Sequence, residues 1–206
     1  MIDDKKNRRP TVIIIDDDQS VREALKGLFE SVGLGADTHG SVKEFIEADD
    51  PEKAGCIVLD IRLPGQSGLE FQEALAKSNI PRSVVLISAH VDVPMAVRAM
   101  KAGAIDVLTK PVREQDLLEA VNRAIANDAS RREERTAKAA IRSRYMTLTE
   151  RERQIMTLVI TGKLNKQIAA ELKLAEPTVK LHRGHMMGKM KAKSVAHLVK
   201  MAGSLS

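Results

Sequence analysis

A doubly wound, five-stranded parallel α/β sheet, joined by a helical linker to an all-α domain, is the architecture that this 206-residue sequence predicts. Three observations predict it. Short apolar runs rich in β-branched residues alternate with helical stripes through residues 11–125. Between Pro111 and Gly162 the chain contains neither glycine nor proline. Residues 147–206 then read as short helices separated by tight turns. The expected division is 1–126 for the sheet, 127–144 for the linker and 145–206 for the helical domain.

Taken in order, Thr11-Val-Ile-Ile-Ile15 is a buried strand that runs into Asp16-Asp17-Asp18. Gln19 to Val32 carries apolar residues at 21, 24, 25, 28, 29 and 32, a helical stripe closed by Gly33. A weaker strand near 35–38 precedes a helix over about 41–49, with Ser41 as its N-cap. Cys56-Ile-Val-Leu59 is a strand that delivers Asp60 to its end, with the Pro64-Gly65 turn just beyond. A helix over 67–77 follows, then the strand Ser83–Ile87 ending at Ser88. Asp92-Val-Pro-Met opens a helix whose first turn suits Pro94, and the strand 104–108 ends at Thr109-Lys110-Pro111. Leu117, Leu118, Val121 and Ile125 continue a helical stripe, and 127–144, mostly Ala and charge, extends it as a stiff helical rod.

Composition narrows the function classes. No apolar run approaches the ~20 residues that span a bilayer, and the first ten residues lack a secretory h-region. Cys56 is the only cysteine, which excludes internal disulfides and cysteine metal clusters. A cytoplasmic protein without membrane attachment is the expectation. Charge is divided unevenly: residues 1–126 hold 16 Lys/Arg against 21 Asp/Glu, while residues 127–206 hold 17 against 7. The second half therefore suits a polyanion.

In a parallel sheet the ends of successive strands share one edge, so Asp16, Asp17, Asp60, Ser88 and Lys110 converge there. Clustered carboxylates repel, and a divalent cation relieves that repulsion. Oxygen ligands without Cys or His point to Mg2+. An aspartate nucleophile beside a metal, a hydroxyl and an ammonium describes an acyl-phosphate site. This constellation resembles the receiver domain of bacterial two-component response regulators, a flavodoxin-like fold, across about 11–125. The resemblance implies that Asp60 accepts phosphate from the phosphohistidine of a sensor histidine kinase. It also implies that Asp17, Asp60 and the Arg62 carbonyl bind Mg2+, that Asp16 acts through water, and that Lys110 and Ser88 hold the phosphoryl group. One departure stands out: the aromatic residue that the family carries three positions before the lysine is Val107 here. Coupling then falls to Ser88, the loop after it and helix 92–102. Arg62 and His90, two residues beyond Asp60 and Ser88, are placed to set the lifetime of the phosphorylated state.

Thr149-Glu-Arg-Glu152 is a capping box opening a helix to about Thr161. Leu164–Leu172 and the helix from Glu176-Pro177 to about Lys191 are joined by about four residues, which is helix-turn-helix geometry, and Ser194 caps a last helix. Residues 146–203 resemble the LuxR-type, FixJ-like DNA-binding domain. On helix 177–191, Val179, Met186 and Met190 read as packing. Lys180, Gly184 and Gly188 share one face, with Leu181 alongside. Lys180 and Leu181 are expected to read base edges, with Gly184 and Gly188 allowing close approach. Lys166, Thr178, Arg183 and Lys189 are expected to contact phosphates.

The chain thus reads as a transcription factor that catalyses only its own phosphoryl transfer and slow autodephosphorylation. Its expected partners are the sensor kinase, double-stranded promoter DNA and, after phosphorylation, a second copy of itself; the resemblance also allows contact with RNA polymerase. Two rival classes are weaker. A phosphatase of the haloacid dehalogenase type needs an aspartate two residues after the nucleophile, where this chain has Arg62. An RNA-binding antiterminator fits the Asn165–His182 pattern less well than duplex DNA does.

Overall fold

The computed structural model describes residues 9–48, 50, 53–77 and 82–205. The chain resolves into two compact units, Met1–Arg131 and Arg132–Ser206.

In the first unit, β1 (Thr11–Ile15), β2 (Gly35–His39), β3 (Gly55–Asp60), β4 (Ser83–Ser88) and β5 (Asp106–Thr109) alternate with α1 (Gln19–Ser31), α2 (Val42–Ala48), α3 (Gly68–Lys77), α4 (Val93–Lys101) and α5 (Glu114–Met146). All neighbouring strands are parallel, in the order β2-β1-β3-β4-β5. Strand alternation sorts the core into two layers. Ile13, Ile15, Ile57, Leu59, Val84 and Leu86 face Phe45, Leu69, Phe71 and Ala99 on α2, α3 and α4. Val12, Ile14, Cys56, Val58, Val85 and Ile87 face Phe29 on α1 and Leu117, Ala120, Val121 and Ala124 on α5. Cys56 has no exposure, and burial, assisted by the negative charge of Asp128, pushes its thiol up to about 12.

The helix starts follow their sequence signals. Ser41 Oγ accepts from the Glu44 amide at 3.1 Å, and Asp92 caps α4 by accepting from the Met95 amide at 2.7 Å. The expected end of the second helix, Asp49, lies outside the described residues. The last strand begins later than the expected Ala104. Gly103 has φ +87°, and the Ala104 amide still donates back to Ala99 O at 3.1 Å, so the chain is leaving α4 there. The ladder with β4 starts only at Asp106.

Residues 127–144 lie inside α5, a single helix of 33 residues. Beyond it come α6 (Glu150–Ile160), α7 (Asn165–Leu172), α8 (Glu176–Met190) and α9 (Val195–Gly203). The capping box closes both ways: the Thr149 amide donates to Glu152 Oε2 at 2.8 Å, and the Glu152 amide donates to Thr149 Oγ1 at 3.3 Å. Ile155, Met156, Val159, Ile168, Val179, Met186, Met190, Leu198 and Met201 form the core of this second unit, with Ile141 and Tyr145 of α5 packed against it. The methionines of α8 are packing, as their helical spacing predicts.

Candidate functional site

The strand order reverses between β1 and β3, and open α/β sheets leave a crevice beyond the strand ends at that point. Register places Ile15 opposite Leu59, so Asp16 and Asp60 leave the sheet side by side. Both are buried, whereas Asp17 is exposed. One carboxylate oxygen from each of the three lies within 4.8 Å of the others. Lys110 reaches in from the end of β5, and its Nζ donates to Asp16 Oδ2 and to Asp60 Oδ2, each at 2.6 Å. The outer oxygens are held by backbone: the Asp18 amide donates to Asp16 Oδ1 at 3.0 Å and the Arg62 amide to Asp60 Oδ1 at 2.8 Å.

Burial and ion pairing oppose each other in this cluster. Burial pushes the Asp16 carboxyl above the usual carboxylate range, only partly offset by the hydrogen bond from Lys110. Burial pulls the Lys110 ammonium down, but its bonds to Asp16 and Asp60 outweigh that and hold it above its ordinary value. One ammonium among three acids under-neutralises the cluster. This oxygen-only donor set, open on the Asp17 side, can hold a metal ion.

Ser88, fully buried at the end of β4, stands at the same edge, with its hydroxyl engaged by the backbone of His90. Its hydroxyl donates to His90 O at 3.1 Å and accepts from the His90 amide at 3.4 Å. The backbone ties it to the lysine, since the Lys110 amide donates to Ser88 O at 2.8 Å. Val107 packs against the core layer that holds Leu86. Arg62 and Asp17 line a cleft with Pro64, Gln66, Glu70 and Met95 beside the acid cluster.

Three supporting residues, Asp18, Arg22 and Gly68, escape the sequence reading. Asp18 caps α1, its Oδ1 accepting from the Ser20 amide at 2.8 Å and the Val21 amide at 3.4 Å. Arg22 donates Nη1 to Asp16 O at 2.7 Å and Asp17 O at 3.0 Å, holding the acidic turn from beneath. Gly68 begins α3 so close to β3 that a Cβ there would stand 2.1 Å from Asp60 O. An Asp three residues ahead of a helical stripe signals the cap; the other two depend on tertiary approach.

In the second unit, Lys180, Leu181, Gly184 and Gly188 all lie on the exposed side of α8. Leu181 is 58 % exposed, and a Cβ added at Gly184 or Gly188 would meet nothing within 4 Å. No packing among the described residues requires glycine at either position. Lys166 is exposed at the start of α7, and Thr178 is half-buried in the first turn of α8. The structure gives two of the other expected phosphate contacts internal partners. Arg183 Nη1 donates to Asn165 Oδ1 at 2.7 Å, bracing α8 against α7. Lys189 Nζ donates to the buried Glu152 Oε2 at 2.7 Å, bracing α8 against the capping box of α6.

The geometry can be set beside known proteins. Residues 12–122 match the response regulator receiver domain, and residues 146–202 match the luxR family of bacterial regulatory proteins. Nodulation protein W of Bradyrhizobium diazoefficiens is 49 % identical over 194 residues, covering 94 % of this chain and 86 % of that one. The transcriptional regulatory protein FixJ of Rhizobium meliloti is 41 % identical, covering 93 % and 94 %. The solved structure of the response regulator StyR aligns with a TM-score of 0.84 at 45 % identity, covering 95 % of this chain and 99 % of that one. No helix among the described residues is long and apolar enough to cross a membrane. With the acid pocket at the switch point of one unit and the helix-turn-helix in the other, the chain belongs to the response regulators that join a receiver domain to a luxR-type DNA-binding domain, and it is a DNA-binding transcriptional regulator.

Proposed function

We propose that Asp60 is the phosphoryl acceptor of this regulator and that its modification governs DNA binding through pairing of two receivers. The observation that carries the reading is the Lys110 ammonium shared between Asp16 and Asp60. Asp60 Oδ2 attacks the phosphorus of a sensor kinase's phosphohistidine; the new P–O bond forms as the N–P bond breaks, and the imidazole leaves. The Arg62 amide fixes the other Asp60 oxygen, so the nucleophile presents one lone pair in one direction. Lys110, already on the acceptor oxygen, is positioned to pair with the incoming anion. Asp17, Asp60 and the Arg62 carbonyl would hold Mg2+, with Asp16 acting through water. When bound, Mg2+ supplies neutralisation of the phosphoryl oxygens.

For Ser88 to donate to a phosphoryl oxygen, its hydroxyl must leave His90 O. That exchange releases the loop leading into Asp92, the cap of α4, and so carries the phosphorylation state to the helix. With valine at 107, this route operates without a rotating ring. In the output unit, Lys180 and Leu181 read base edges with Gly184 and Gly188 admitting the backbone to the major groove, while Lys166 and Thr178 contact phosphates. Arg183 has further N–H groups available for a phosphate; Lys189 serves mainly as a brace.

Acetyl phosphate with Mg2+ tests the reading. The parent chain should gain one phosphoryl group, shift toward dimer in sedimentation and change its footprint on promoter DNA. Asp60→Asn should gain none and keep one footprint throughout. Equal phosphorylation of both proteins would overturn the assignment.

A further inference from the structure

At the opposite end of the receiver sheet, where β4 begins and α3 and α4 end, lies a cavity of about 210 Å³. It is lined by Gln72, Ala76, Arg82, Gly103 and Arg131, with Leu75 and Val84 closing its apolar side. Two buried polar atoms on these walls lack partners. Gln72 is 2 % exposed; its amide donates Nε2 to Ala99 O at 3.0 Å, which fixes its orientation and leaves Oε1 accepting nothing. Arg131 donates Nη2 to Ser83 Oγ at 2.7 Å, and its buried Nε–H donates to nothing. A buried donor and a buried acceptor left open on two residues that line the same cavity are a costly arrangement that folded proteins seldom leave unanswered.

The chemistry of the walls specifies what answers it. Arg131 and Arg82 both bring positive charge, and no carboxylate lines the cavity among the described residues. A guanidinium Nε–H asks for an anionic oxygen. The Gln72 oxygen asks for a donor, which a fully deprotonated oxyanion cannot offer. We propose that this cavity is a binding site for a small oxyanion that carries a hydroxyl group, of which hydrogenphosphate is the simplest. Its anionic oxygens take Arg131 Nε and its hydroxyl donates to Gln72 Oε1. The bound anion ties Gln72 on α3, whose amide already holds the end of α4, to α5 at Arg131. It therefore stabilises the receiver from the end away from Asp60, independently of phosphorylation.

The test uses the full chain in the Asp60→Asn background without divalent cations, and the two cavity substitutions below tell binding here from any binding beside Lys110. Inorganic phosphate should bind saturably in calorimetry and raise the thermal midpoint of the receiver. Sulfate has the same shape but no hydroxyl at neutral pH, and it should bind at least tenfold more weakly. Arg131→Gln and Gln72→Met should each lose the phosphate response, while the same substitutions in the parent background still accept a phosphoryl group from acetyl phosphate, which shows that they fold. A parallel titration with glycolate against acetate separates the two sources of such an anion. A response to phosphate assigns the site to free phosphate, and a response to glycolate alone assigns it to a hydroxy acid. No response to either, equal binding of sulfate and phosphate, or a response that survives both substitutions would overturn the site in favour of trapped water or an adventitious ion.

Discussion

At the scale of single residues, steric closeness and spent hydrogen bonds set the conditions at the acid pocket. Gly68 packs its Cα against Asp60 O, so a methyl group there must push β3 and α3 apart. Gly68→Ala should cost about 1–3 kcal/mol in denaturant unfolding of the receiver and slow phosphorylation by acetyl phosphate, whereas a silent substitution would mean that the strand end tolerates displacement. Arg62 lines the cleft beside Asp17, and His90 is the residue whose backbone holds the Ser88 hydroxyl. Replacing both side chains with alanine should change the autodephosphorylation rate severalfold, read from loss of phosphoprotein with time. An unchanged rate would remove them from control of the phosphoryl lifetime.

At the scale of elements, the start of α7 and the end of α8 divide the work of binding and bracing. Lys166→Gln should lower the slope of log affinity against log salt by about 0.9, the value expected for one lost phosphate contact. Lys189→Gln should leave that slope nearly unchanged and instead lower the melting midpoint of the second unit, because it strands the buried carboxylate of Glu152. Burial raises the Glu152 carboxyl, but the bonds from Lys189 and Thr149 win and hold it below its ordinary value. A depressed carboxyl contributes stability that is present above its unfolded value of 4.5 and is lost as the pH falls through the folded one. Acid titration of the parent should show that loss below about pH 4.5, and Glu152→Gln should flatten it. The elements themselves were legible in the sequence because periodicity and caps are local: β1, β3 and β4 are buried on both faces and read as continuous apolar runs. The strand β5, half-buried at the sheet edge, starts later than its sequence suggests, because Ala104 and Ile105 are apolar enough to look like part of it. The braces were not legible. Lys189 meets Glu152 across 37 residues, and Asp128 meets the Gly55 amide at 3.0 Å across 73, so neither leaves a local pattern. Among the acid-pocket residues, strand ends announced which side chains converge, but not that the Ser88 hydroxyl is engaged by its own loop.

At the scale of the whole molecule, the two units differ in charge and in what they must meet. The receiver half is acidic and the output half basic, so the two units suit partners of opposite charge. The long α5 belongs to both units, with its early turns in the receiver core and Ile141 and Tyr145 in the output core. The sulfur atom at position 56 gives this molecule an internal clock. It sits four residues upstream of Asp60 on the same central strand, where burial leaves the thiol no access to reagent and raises it to about 12. Iodoacetamide can therefore modify the folded chain only when that strand swings out, and the labelling rate counts such excursions one molecule at a time. Beryllofluoride seated on Asp60 should slow the labelling severalfold, and an unaltered rate would mean that occupancy of the acid pocket does nothing to hold the centre of the sheet closed.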